Sequence, residues 1–221
     1  MSLDIVTIDG PSGSGKSTIS RRLADRLGYT YLDTGAMYRA VGLAARRAGL
    51  DLGDNAAVAG IFDNFALELL PGKGDTRVVL NGEEVSAEIR SAEMGLVASK
   101  VSALPTVRER LAQLQRELGG RGRVVCEGRD MGTVVFPQAG HKFFLDASAE
   151  VRARRRTDQL IERGEAADYS IILEQIKKRD HDDSNRKLSP LKPAGDAVII
   201  DSSHISIDEV ISLMLKHING A

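Results

Sequence analysis

Residues 10–17 read Gly-Pro-Ser-Gly-Ser-Gly-Lys-Ser, which satisfies G-x4-G-K-[ST]. The stretch follows a short apolar run, "LDIVTI" (3–8), and opens a helical pattern over 16–27 in which Ile19, Leu23 and Leu27 recur every four residues. A strand that turns through glycines into a helix is a phosphate-binding loop. Glycine lets the backbone wrap until several N–H groups point at one anion. The helix start adds partial positive charge and unpaired N–H groups. Lys16 can reach β and γ phosphates, and the Ser17 hydroxyl is a hard oxygen donor suited to Mg²⁺. The nucleotide-phosphate site is thus assigned to Gly10, Pro11, Ser12, Gly13, Ser14, Gly15, Lys16, Ser17 and Thr18. A nucleoside triphosphate is the ligand this loop is built for.

The rest of the chain must supply a sheet for the loop to sit on. "YTYLD" (29–33), "RVVCE" (123–127), "HKFFLD" (141–146) and "AVIID" (197–201) are apolar throughout rather than alternating. Helical stretches follow at 34–50, 148–163 and 206–218, with Thr34 as a plausible N-cap and Gly28 and Gly49 as stops. Apolar strands alternating with helices predict a parallel sheet covered on both faces. Residues 62–90 break the rhythm: "FALELL", "TRVVLNG" and "EEVS" are joined by "PGKGD" and an Asn-Gly pair. That is turn chemistry, and it predicts a small antiparallel β insertion, followed by helices split at Pro105.

Composition narrows the partners. With 221 residues the chain suits one domain, 1–221, with a small insertion. A net charge of −1 gives no global reason to bind nucleic acid or an anionic membrane, and no apolar run reaches membrane-spanning length. No basic-then-apolar leader opens the sequence, and the single cysteine, Cys126, has no partner for a disulfide, so a reducing cytoplasm is expected. Its flank Val124-Val125 makes it a small core residue. His141, His181, His204 and His217 lack metal-ligand spacing.

Three further segments carry charge at strand ends: "LDTGAMYR" (32–39), "EGRDMGTVVFP" (127–137) and "KKRDHDDSNRKLSPL" (177–191). The ligand crevice of a parallel sheet lies beyond the carboxyl ends of its strands, so the first two can meet the phosphate loop there. They offer Arg39, Arg129, Arg179 and Arg186 as phosphate clamps, and Asp130 and Asp183 as acceptors for base and sugar donors. A GTP switch is disfavoured because no Asn-Lys-x-Asp guanine reader is present. A small-metabolite kinase of shikimate-kinase type and a nucleotide-dependent binding module stay open at this level.

Together "IDGPSGSGKST", "LDTGAMYR", "EGRDMGTVVFP", "FFLDAS", "RARRR" and "KKRDHDDSNR" resemble the bacterial-type cytidylate kinases in order and spacing over 1–218. The resemblance implies a three-layer α/β/α P-loop fold with a parallel central sheet, a small antiparallel insertion at 62–90 on the monophosphate side, and a helical lid at 150–168. It implies transfer of the γ-phosphoryl group of ATP to CMP or dCMP with Mg²⁺, by a cytoplasmic monomer. It places Thr34, Tyr38 and Arg39 in the monophosphate site and Ser99, Arg108 and Asp130 on the cytosine. Arg129 and Arg186 fall on phosphate, Arg179 and Asp183 on the sugar, and the arginines of 152–156 at the start of the lid. Lys16, Arg129 and Arg186 are the expected catalytic residues. The adenylate kinase acceptor signature Asp-Gly-Phe-Pro-Arg is absent, which argues against AMP as the main acceptor.

Overall fold

The computed structural model describes residues 3–72, 76–120 and 122–220. It divides into two compact units, Met1–Tyr31 with Gly122–Ala221, and Leu32–Arg121.

The first unit is built on strands β1 (Leu3–Asp9), β2 (Thr30–Asp33), β6 (Val124–Gly128), β7 (Ala139–Asp146) and β8 (Val198–Asp201), in the order β2-β6-β1-β7-β8. The division between the units falls inside β2. β1 pairs in parallel with β6 on one side and β7 on the other, and β7 pairs in parallel with β8. Ile5, Val6, Ile8, Val125 and Leu145 are buried because a parallel sheet flanked by helices has no wet face. Helices α1 (Lys16–Leu27) and α8 (Ile207–Asn219) bring Ile19, Leu23, Val210 and Met214 into one core with Val6, Ile8 and Phe143. Helices α6 (Ala149–Glu162) and α7 (Tyr169–Asn185) form a second, smaller core from Ala153, Leu160, Ile172 and Ile176. The sequence pattern does not predict α7: 177–191 reads as leading straight into the last strand.

The second unit holds α2 (Thr34–Arg47), a short α3 (Asn55–Ala59) that the sequence reading also missed, α4 (Ala92–Val101) and α5 (Pro105–Gly119). It also holds the antiparallel sheet β3 (Leu67–Pro71), β4 (Thr76–Leu80) and β5 (Glu83–Glu84). Asn81 and Gly82 both have positive φ, 50° and 83°, the backbone of a tight hairpin turn between β4 and β5. The Lys73-Gly74-Asp75 part of the expected β3–β4 turn lies outside the described residues. Val78 and Leu80 pack with Leu43, Ile89 and Met94. One cap expectation is corrected: α2 is capped by Asp33, whose carboxylate accepts the Ala36 N–H at 2.8 Å, while Thr34 is already the first helical residue. Among the described residues no helix is long and apolar enough to cross a membrane.

Candidate active site

The phosphate loop runs from the end of β1 into α1. Its first residue must be glycine: a Cβ on Gly10 would lie 2.0 Å from the Leu145 carbonyl oxygen of β7, so the loop starts pressed against the neighbouring strand. Gly13 (φ 80°) and Gly15 (φ 94°) take the left-handed turns that bend it. No side chain caps α1, whereas α2, α4, α6, α7 and α8 are each capped by an aspartate or serine. The first-turn N–H groups of α1 therefore remain available to an anion. Lys16 is buried, and its Nζ donates to the Pro11 carbonyl at 2.5 Å and to Ser14 Oγ at 3.3 Å. Burial, and then the positive charge of Arg129, lower its pKa to about 7, against the pull of Glu127. An anion that raises it again is the natural ligand of such a group.

Behind the loop stands a cluster of three arginines and one carboxylate from two segments. Arg129 Nε donates to Asp183 Oδ2 at 3.0 Å, and Arg186 Nη1 to Asp183 Oδ1 at 3.4 Å. Arg179 Nη1 donates to Ser12 Oγ in the loop at 3.2 Å. Burial on its own would raise the Asp183 carboxyl, but the charges of Arg129, Arg179 and Arg186 outweigh it and hold the group below its ordinary value. The structure thus gathers Arg129, Arg179 and Arg186 around the buried Asp183 carboxylate beside the loop, all four of them expected site residues.

Asp130 is buried and heads a π-helical turn, Met131–Val135, that follows β6. The main-chain N–H groups of Met131 and Gly132 both donate to Asp9, each at 2.8 Å. Burial is the main reason that the Asp9 pKa rises to about 6, and the two N–H groups oppose it.

The arginines of 152–156 are engaged with protein groups. Arg152 is buried: its Nε donates to the Ala147 carbonyl (2.8 Å), Nη1 to the Ser12 carbonyl (3.1 Å), and Nη1 and Nη2 grip both oxygens of Asp180 (3.0 and 2.6 Å). Arg155 bonds the Ser202 carbonyl at 2.5 Å, Arg154 stacks over the Tyr169 ring at 4.8 Å, and Arg156 donates to Gln159.

The second unit carries the other expected residues. Arg39 Nη2 pairs with Asp33 Oδ2 at 3.2 Å, and its Nε is buried without a hydrogen-bond partner. Arg108, buried, lies 5.8 Å over the Tyr38 ring and donates to the Ser102 carbonyl at 3.0 Å. Ser102 in turn donates to the Ser99 carbonyl at 2.8 Å, so Tyr38, Arg108 and Ser99 form one connected group. Thr34 is buried at the head of α2.

Four residues outside the expected site interact with the loop directly or through one another: Asp9, Glu127, Arg152 (singled out only as part of a basic run) and Asp180. Glu127 is buried at the end of β6 and accepts a hydrogen bond from the Tyr31 hydroxyl. A signal was available for two of them. "IVTID" and "VVCE" each place a carboxylate at the end of a strand with no solvent face, where a charge needs a built partner. Cys126 is a core residue as expected; burial pushes its thiol pKa well up.

Residues 6–220 match the family model described as cytidylate kinase. The chain is 47% identical to the cytidylate kinase of Pasteurella multocida (strain Pm70) over 214 residues, covering 97% of this chain and 94% of that one. It is 50% identical to the cytidylate kinase of Geobacter sp. (strain M21) over 210 residues, 95% of this chain and 90% of that one. Among solved structures, an uncharacterised protein from Eubacterium ventriosum ATCC 27560 shares the fold with a TM-score of 0.51 at 12% identity, over 98% of this chain and 99% of that one.

Proposed function

The chain belongs to the cytidylate kinase family, an ATP-dependent phosphotransferase family with a phosphate group as acceptor, and we propose how its own residues move the γ-phosphoryl group of ATP to CMP or dCMP. The acceptor needs no general base. A phosphate monoester loses its second proton near pH ~6 and is already mostly dianionic at neutral pH. The task is to bring two highly charged groups together and to neutralise the charge that spreads over the transferring phosphoryl. Lys16 and the N–H groups of residues 10–18 hold the donor phosphates. Arg129 and Arg186 hold the acceptor phosphate, with Thr34, Tyr38 and Arg39 contributing to the same site. Arg179 and Asp183 take the sugar. Ser99, Arg108 and Asp130 read the cytosine.

Mg²⁺ fits the donor set. Ser17 presents one exposed hydroxyl, a hard oxygen donor, in the first turn of α1. That is the pattern of an ion which arrives with the nucleotide and takes most of its ligands from phosphate and water. Ser17 would hold it, and its role is to offset phosphate charge. The protein acts as a monomeric, cytoplasmic enzyme of pyrimidine nucleotide metabolism, as one kinase domain over 1–221, with 62–90 serving the monophosphate side and 150–168 closing over the donor.

The observation that carries the assignment of roles is the convergence of Arg129, Arg179 and Arg186 on Asp183, with Arg179 also bonded to the phosphate loop. The assignment of Asp130 is tested through its chemistry. A carboxylate only accepts, and cytosine N4 donates where uracil presents an acceptor. Asp130→Asn should lose kcat/KM for CMP far more than for UMP. Equal losses for the two would show that Asp130 orients Arg129 and does not read the base.

A further inference from the structure

Ser12, in the phosphate loop, is held by two arginines at once. Its carbonyl accepts from Arg152 Nη1 at 3.1 Å, and its Oγ accepts from Arg179 Nη1 at 3.2 Å. Arg152 belongs to α6 and Arg179 to α7. Asp180 joins the two. Its Oδ1 and Oδ2 accept from Nη1 and Nη2 of Arg152 at 3.0 and 2.6 Å, and in sequence it directly follows Arg179. The contacts close a ring that runs from the Ser12 carbonyl through Arg152, Asp180 and Arg179 back to the Ser12 hydroxyl. Arg152 is also fixed from outside this ring, since its Nε donates to the Ala147 carbonyl at 2.8 Å. Along α7, Ile176, Arg179, Asp180 and Asp183 fall on one stripe by helical spacing. Ile176 packs into the α6–α7 core, and Asp183 takes Arg129.

We propose that Asp180 is a positioning residue for the acceptor nucleotide: by gripping Arg152, which grips the phosphate loop, it fixes the rotation of α7 and so the place from which Arg179 reaches the acceptor. The proposal rests on the reading of Arg179 as a contact to the acceptor sugar. An arginine carries a long side chain with many rotamers, so its head is placed only as well as its backbone is. The pair one residue further on places that backbone. Two parallel N–H···O bonds between a guanidinium and a carboxylate specify direction as well as distance. Asparagine at 180 keeps the shape but offers one acceptor oxygen to two donors, so one N–H of Arg152 would face an NH₂ group, donor against donor. The fork becomes a single bond about which α7 can turn. Arg152 keeps its bonds to Ala147 and Ser12, so the phosphate loop stays where it was. The disturbance falls on Arg179 and leaves the donor side in place.

The test is kcat and the separate KM values for CMP and for ATP, in the full-length wild type, Asp180→Asn, Arg179→Met and the double variant, each assayed well below its Tm. The expected result is that Asp180→Asn raises KM for CMP by about tenfold, the scale of one hydrogen bond to a charged group. KM for ATP stays close to wild type. So does kcat, because a contact to the sugar acts alike in the ground state and the transition state. Arg179→Met should raise KM for CMP at least as much, and the double variant should be no worse than Arg179→Met alone, because Asp180 acts through Arg179. A merely structural role for Asp180 lowers the active fraction, and with it kcat, and leaves KM for CMP unchanged. That outcome, or losses that multiply in the double variant, overturns the proposal while the reading of Arg179 stands. An unchanged KM for CMP in Arg179→Met overturns that reading, and the proposal with it. Should Asp180→Asn fail to fold, Asp180→Glu keeps the charge and both oxygens but sets them one methylene further out. The same selective rise for CMP is expected there, and an equal rise for CMP and ATP would refute the positioning role.

Discussion

Replacing Arg152 by methionine should cost the protein stability before it costs chemistry. Arg152 makes four hydrogen bonds: one to Ala147, one to the Ser12 carbonyl of the phosphate loop and two to Asp180. Its side chain is 5% exposed and that of Asp180 is 26% exposed. Methionine keeps the aliphatic stem that lies against Gly13, so no large cavity opens. What is lost is one partner of a buried ion pair, a change that typically costs about 3–5 kcal/mol. Asp180 can recover some water, which places the cost near the lower end, about 3 kcal/mol. For a chain of this length each kcal/mol moves Tm by about 2–4 °C, so Arg152→Met should lower Tm by about 6–12 °C. Asp180→Asn keeps the planar group and should lose less. The double variant should be more stable than the sum of the two losses predicts, because the partners act on each other. Differential scanning calorimetry on the three variants reads all of this. A Tm within about 2 °C of wild type for Arg152→Met would refute the reasoning. It would mean that the guanidinium is solvated, and so able to serve a moving lid.

Three further outcomes follow from the site. Lys16→Ala should fold normally and lower kcat by about 10² or more, the scale for a well-placed electrostatic donor; near-normal turnover in a folded variant would remove Lys16 from the chemistry. Lys16, pulled down to about 7 in the free protein, should regain its proton when phosphate binds. Binding of a non-hydrolysable ATP analogue at pH 8 should then take up close to one proton, read as a dependence of the calorimetric enthalpy on buffer ionisation, and a zero slope contradicts it. Asp183, held below the ordinary carboxylate range, contributes stability that is present above that range and lost as pH falls through its lowered folded-state value. Asp183→Asn should therefore have a lower urea midpoint than wild type at pH 7, and the gap should close in strong acid; a gap independent of pH would rule out the charge as its source.

What the sequence made legible was whatever depends on near neighbours. The phosphate loop, the five apolar strands and the Asn81-Gly82 hairpin follow from local backbone chemistry. α7 escaped because its inward stripe changes character midway: Ile172 and Ile176 are followed, at the same helical spacing, by Arg179 and the buried Asp183. A pattern of apolar repeats stops at Ile176, while the helix continues on charged groups satisfied from Arg129 and Ser12. The burial of Arg152 is not legible in the sequence for a related reason. Its burial depends on Asp180, 28 residues further on, and a basic run such as "RARRR" carries no local sign of that partner. The Thr34 cap failed on a smaller scale, since Asp33 one residue earlier was the stronger acceptor and also pairs with Arg39. The partners of Asp9 and Glu127 needed the strand order, which puts β6 between β1 and β2.

The central claim is phosphoryl transfer from ATP to a cytidine monophosphate, and a coupled assay of ADP release reads it most directly. The purified protein with ATP and Mg²⁺ is given CMP, dCMP, UMP, AMP or shikimate in turn. The account predicts rapid ADP release with CMP or dCMP, at least about tenfold weaker release with UMP, and background rates with AMP and shikimate. Release with shikimate alone, or equal slow release with every acceptor, would contradict it.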